Sequence, residues 1–156
     1  MDSTDKKIVR ILLGNGRITN AALAKSVGLS ASATFERLRR LEDSGVVGGY
    51  SARVEPERVG RGLEVLMTFT LKNQNPAEVE RFTQAMLERD EVLSCFQVMG
   101  RFDFVSQIAV ADIQALRTFI YDHLIALGCI DRMESLTVLK VIKRAHPPYP
   151  AEDSKG

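Results

Sequence analysis

"LSASATFERLRRLEDSG", Leu29 to Gly45, decides how the front of the chain is read. It opens on small hydroxyl residues, closes on a glycine and carries three arginines beside an apolar stripe. Ser30 suits an N-cap and Gly45 a stop, so the stretch predicts one helix. Phe35, Leu38 and Leu41 recur at helical spacing and are expected to point into a small core. At about 100° per residue, Ser32, Glu36 and Arg40 then fall on the opposite side, with Ala33, Arg37 and Arg39 on its flanks.

That polar side fits a solvated basic helix and a groove-entering helix equally well. Its upstream neighbours favour the groove. "DSTDKKIVRILLGNG" predicts a helix capped by Asp2 with Asp5 three residues on, and its face carries Ile8, Ile11 and Leu12. "TNAALAKSVG" predicts a second, starting after Thr19 and ending at Gly28. Only a short glycine-containing turn separates it from the third, which is the helix-turn-helix connection. Small residues in the leading turn, Ser32 and Ala33, would let that helix approach base edges, while the arginines reach phosphates or guanine edges.

Net charge is +1 over the 156 residues, but it is unevenly divided. Residues 1–62 hold eleven basic against seven acidic side chains; residues 63–156 hold ten against thirteen. A basic front on an acidic back suits a nucleic-acid-reading module joined to a different one. An apolar fraction of 45% is enough for packed cores. No apolar run approaches the ~18 residues of a membrane span, and the charged start does not resemble a secretory signal. Cys95 and Cys129 read as reduced thiols of a cytoplasmic protein, without metal-ligand spacing.

The front segment resembles the N-terminal domain of the Lrp/AsnC, or feast/famine, transcriptional regulators. The motifs that carry the resemblance lie at Asp2 and Asp5, Asn15 to Arg17, Leu23 to Ser30, Glu36 to Glu42, and Gly45 to Tyr50. Ala31 departs from it, where proline is common, and so does Val47, where isoleucine is usual. The resemblance implies an α+β protein in which a winged helix-turn-helix domain, residues 1–45, contacts double-stranded DNA. Ser30, Ser32, Ala33, Thr34, Glu36, Arg37, Arg39 and Arg40 are the expected contact residues. Residues 46–62 read as a strand linker that, in the family, pairs with its twin in a second subunit.

From Leu63 the apolar period changes to two: Leu63, Val65, Met67, Phe69 and Leu71 alternate with mostly polar neighbours. A helix follows, with Asn75 as cap and Pro76 first. "VLSCFQVMG" and "FDFVSQIAV" read as strands joined tightly around Gly100. Asp112 caps a helix bearing Ile113, Leu116, Ile120, Leu124 and Leu127, stopped by Gly128, and "ESLTVLKVIK" is the last strand. This βαββαβ order over residues 63–144 is ferredoxin-like, a fold that by itself does not define function. The tail, 145–156, is expected to be irregular.

"VMGRFDF" resembles the ligand-sensing signature of the same family, which makes this half an effector-binding and assembly domain. A free amino acid needs an anion for its ammonium, which Asp103 can supply, and clustered N–H donors for its carboxylate, which Gly100, Arg101 and Phe102 can offer. Without the resemblance Asp103 would read as a turn carboxylate. Met99 belongs to the same run, and Ile113, Leu136, Thr137 and Val138 fall where family members line the side-chain end of the pocket, partly from a neighbouring dimer. Their apolar character points towards an effector such as leucine or methionine. The resemblance also implies a homodimer that assembles to an octamer. An enzyme is disfavoured: His123 and His146 have no nucleophile, phosphate loop or metal set beside them in sequence, and no cofactor is expected. An architectural DNA-binding protein without an effector is the alternative.

Overall fold

The computed structural model describes residues 1–144 and Pro150. The described residues divide into two compact units, Met1–Arg53 together with Lys143, Arg144 and Pro150, and Val54–Ile142. The expected tail, with His146, lies outside the described residues except for Pro150.

The first unit holds three helices, α1 (Ser3–Gly14), α2 (Asn20–Val27) and α3 (Ala31–Asp43). Each begins at a side-chain cap. Asp2 and Asp5 form a reciprocal capping box on α1, with bonds of 2.8 and 3.1 Å. Thr19 accepts from the Ala22 amide and Ser30 from the Ala33 amide. Gly28, at φ +75°, ends α2 in the left-handed conformation, so the chain turns into α3 within two residues. Ile8, Leu23 and Leu41 are buried at the centre of the three helices, with Val9 and Ala24 beside them.

The helix α3 is rotated from the orientation that its apolar residues predict. Thr34, Leu38 and Leu41 face inward, and Phe35 is 53% exposed. Thr34 is fully buried because its hydroxyl donates to the Ser30 carbonyl 2.9 Å away, so the polar group is satisfied on its own helix. A small residue there suits the approach of α2, whose Ala24 is also buried.

Residues 46–62 contain no β-strand, contrary to the expected strand linker. A strand needs a neighbouring ladder for its amides, and none within one chain is offered to these residues. Their anchors differ instead. Tyr50 packs its ring on Gly16 and donates to Glu42 at 2.9 Å within the first unit, whereas Pro56–Val59 form a 3-10 turn in the second.

The second unit runs β1 (Leu63–Leu71), α4 (Pro76–Leu87), β2 (Val92–Gln97), β3 (Phe104–Val110), α5 (Ile113–Thr118) and β4 (Ile130–Thr137). The strands form one antiparallel sheet in the order β2-β3-β1-β4. Val65, Met67 and Phe69 of β1, with Phe104 and Ile108 of β3, are buried in the core with Phe82, Leu116, Phe119 and Leu124 from the helical segments. Phe82 sits between two strand aromatics, its ring 5.0 Å from Phe69 and 4.5 Å from Phe104. On the opposite face Leu66 and Leu136 are register partners, and both are exposed.

Two elements differ from the sequence expectation. The helix expected from Ile113 to Leu127 is α-helical only to Thr118; it continues as a π-helical turn, Phe119–Leu124, and a 3-10 turn, Ile125–Leu127, before Gly128 at φ +72°. The last strand is Ile130–Thr137 rather than residues 134–143. Its register decides this: Thr137 already pairs with Val65, the Val138 amide reaches Glu64, and β1 begins at Leu63.

Candidate functional site

On α3, Ser32, Ala33, Glu36, Arg39 and Arg40 are exposed, as the helix-face argument requires. Three other expected contact residues stand differently. Ser30 spends its hydroxyl on the cap and on a 3.2 Å bond with Ser32. Thr34 is buried and has no surface to offer DNA. Arg37 sits on the inner flank of the helix, where its guanidinium meets Asp2 at 2.5 Å and Asp5 at 2.8 Å. It is a clamp between α3 and the start of α1.

This clamp sets the local electrostatics. The Asp5 amide and then the Arg37 guanidinium hold the Asp2 carboxyl below its ordinary range, and the same carboxylates raise Arg37. Arg39 makes a long, exposed pair with Asp43 at 3.7 Å, which leaves its side chain able to turn towards another anion. Burial, reinforced by Glu42, pushes the Tyr50 phenol up to about 12, so it remains a hydrogen-bond donor at any physiological pH.

In the second unit the connection 98–103 carries Gly100 at φ +145°, a conformation that glycine adopts with least strain. It borders a cavity of about 270 Å³ lined by Leu71, Gln74, Val79, Gln97, Val98, Met99, Gly100, Phe102, Asp103 and Phe104. Four of the expected residues, Met99, Gly100, Phe102 and Asp103, therefore meet at one cavity. Arg101 does not line it; its guanidinium lies 4.9 Å over the Phe102 ring. The Asp103 carboxylate already accepts from the Leu71 amide at 2.7 Å and from the Gln74 side-chain amide at 2.6 Å. Its two oxygens offer about four acceptor sites, so capacity remains.

Ile113, Leu136, Thr137 and Val138 do not join this cavity. Register explains why. Thr137 pairs with Val65 and Val110 with Leu63, whereas Phe104 pairs with Phe69. The two groups thus belong to opposite ends of β1. Gln74 and Leu71 were not legible as site residues, because only the β1–β3 pairing brings positions 29 and 32 residues away from Asp103 against it.

A helix-turn-helix whose third helix turns Arg39 and Arg40 outward, followed by a ferredoxin-like domain with a polar cavity at a strand connection, defines a DNA-binding regulator with a ligand-binding domain. Residues 64–148 match the Lrp/AsnC ligand binding domain and residues 1–47 a winged helix-turn-helix DNA-binding domain. The chain is 34% identical to the Bkd operon transcriptional regulator of Pseudomonas aeruginosa over 149 residues, covering 95% of this chain and 97% of that one. It is 32% identical to the leucine-responsive regulatory protein of Escherichia coli over 146 residues, covering 94% and 89%. Among solved structures, a transcriptional regulator of Neisseria meningitidis in complex with L-Met superposes with a TM-score of 0.90 at 35% identity, covering 96% of each chain. The chain belongs to the Lrp/AsnC family of transcriptional regulators. Among the described residues, no helix is long and apolar enough to cross a membrane.

Proposed function

We propose that this regulator binds DNA as a cytoplasmic homo-oligomer and that a free amino acid, bound beside Gly100, changes its DNA binding or assembly. The observation that carries this reading is the cavity of about 270 Å³ whose wall combines Gly100, the Asp103 carboxylate and the Gln74 and Gln97 amides with apolar Leu71, Val79 and Met99. A zwitterion with an apolar side chain needs that mixture of an anion, donors and an oily wall. The separation of Ile113, Leu136, Thr137 and Val138 from the cavity suits a site completed by a second copy of the chain. The leucine-responsive and L-Met-bound relatives support an apolar amino acid. No part of the reading calls for a cofactor.

A thermal-shift screen of the twenty amino acids tests it, because a ligand selective for the native state raises Tm. The expected hit is an apolar amino acid. Titration calorimetry with that ligand should then find Asp103→Asn weaker by about ten- to a hundredfold, the loss of one charge-assisted contact. Equal affinities would make Asp103 a structural carboxylate. One observation favours the alternative of an architectural DNA-binding protein without effector: both Asp103 oxygens already serve Leu71 and Gln74. If no amino acid binds at millimolar concentration, that reading stands.

A further inference from the structure

Phe35 is the sole aromatic residue among the first 49, and it is left out of the core. The three-helix unit closes around Ile8, Leu23 and Leu41 without it and buries Thr34, its neighbour in sequence, in its stead. A ring 53% exposed on the second turn of α3 leaves apolar surface in water in the free protein, and a partner that buried it there would gain by that burial. Its surroundings say which. Ser32 lies one turn before it and Arg39 one turn after it; both are exposed. A small hydroxyl residue permits close approach to a duplex, and Arg39 offers a cation for phosphate or guanine. An apolar ring between them, at the leading half of a groove-entering helix, matches the one apolar group on the major-groove edge, the thymine 5-methyl.

We propose that Phe35 is a specificity residue that packs against thymine methyl groups in each half-site. The assignment rests on α3 being the DNA-reading helix, and it goes beyond that reading by naming a base and the side chain that selects it.

The test uses the full-length chain. Bound duplexes are selected from a random pool, and each thymine of the selected half-site is replaced in turn by uracil, which lacks only the methyl. Wild type is expected to lose about fourfold in affinity at one or two positions, the worth of burying one methyl-sized group. Phe35→Ala should bind thymine and uracil duplexes equally, with its salt dependence unchanged because no phosphate contact is lost. Phe35→Leu should restore part of the discrimination. Since the ring is half exposed, both variants are expected to keep the wild-type Tm. Wild type that binds its selected duplex but shows no thymine–uracil difference would overturn the Phe35 assignment and leave the DNA reading intact. A lowered Tm or altered mass for Phe35→Ala would overturn it too, by placing the ring against a second copy of the chain. If the wild type selects no duplex even at low salt, the DNA reading fails and the Phe35 assignment with it.

Discussion

Arg37 of α3 holds Asp5 of α1 across 2.8 Å, with Asp2 on the same nitrogen. One guanidinium thereby ties the flank of the third helix to the capping box that starts the first. Thirty-two residues of chain separate the two ends of this contact, and helix α2 lies between them in sequence. The consequence is a division of labour among arginines that look alike in sequence: Arg37 serves the fold, while Arg39 and Arg40 face outward.

Alanine variants should separate these roles. Arg40→Ala is expected to leave Tm unchanged, weaken binding to all duplexes alike, and reduce the slope of log affinity against log salt by about one if Arg40 contacts a phosphate. Arg37→Ala should lower the Tm of the first unit by releasing Asp2 and Asp5, and affect DNA only through that loss. Fluorescence anisotropy over a salt series, with a melting curve for each variant, checks both. A stable Arg37→Ala protein with a flattened salt slope would reassign Arg37 to DNA.

The Asp2 carboxyl predicts a pH dependence. Its folded pKa lies below the ordinary 3.8, so the stabilisation it gives is present above that value and fades as pH falls through the depressed folded one. Asp2→Asn keeps a capping oxygen but removes the charge facing Arg37. The Tm gap between wild type and this variant should be open near neutral pH and close on the acid side of about pH 4. A gap of constant size down to strong acid would show that the charge of Asp2 contributes nothing.

Assembly should depend on the outer face of the sheet. Leu66 and Leu136 are cross-strand partners there, 40% and 56% exposed, and Phe96 on β2 is 61% exposed. Large apolar side chains left exposed on a sheet face, even among polar neighbours such as Gln107 and Thr68, gain by burial against a partner. Leu66→Glu brings a new charge to the face that already carries Glu64, and it should shift the full-length protein to a smaller species in sedimentation equilibrium without loss of secondary structure. An unchanged mass would place the subunit contact elsewhere.

Much of the local structure follows from sequence, because the forces that set it are local. The caps at Asp2, Thr19, Ser30, Asn75 and Asp112 involve amides three residues away, and Gly28 and Gly128 end helices through their own φ. The alternation from Leu63 to Leu71 marks the inner face of β1 for the same reason, since side chains on a strand change face at every step. The connection that borders the cavity was legible only through the family resemblance of its "GRFD" run, since the residues alone read as a turn with a carboxylate.

Tertiary structure decided what local chemistry leaves degenerate. Thr34 and Phe35 are adjacent on α3, and which of them faced inward depended on how closely α2 approaches and on the bond from Thr34 to the Ser30 carbonyl. Arg37, Arg39 and Arg40 are the same residue type on one helix, and only the position of the Asp2–Asp5 box assigned Arg37 inward. The sequence predicts β4 to residue 143, but β1 begins at Leu63 and the pairing ends with Thr137 opposite Val65, two residues short of that start. Gln74 came against Asp103 only through strand pairing. Apart from the local bond from Thr34 to Ser30, the deciding partner lies on another element, and periodicity fixes a face only to within about one residue's rotation, while packing fixes which side chain meets which.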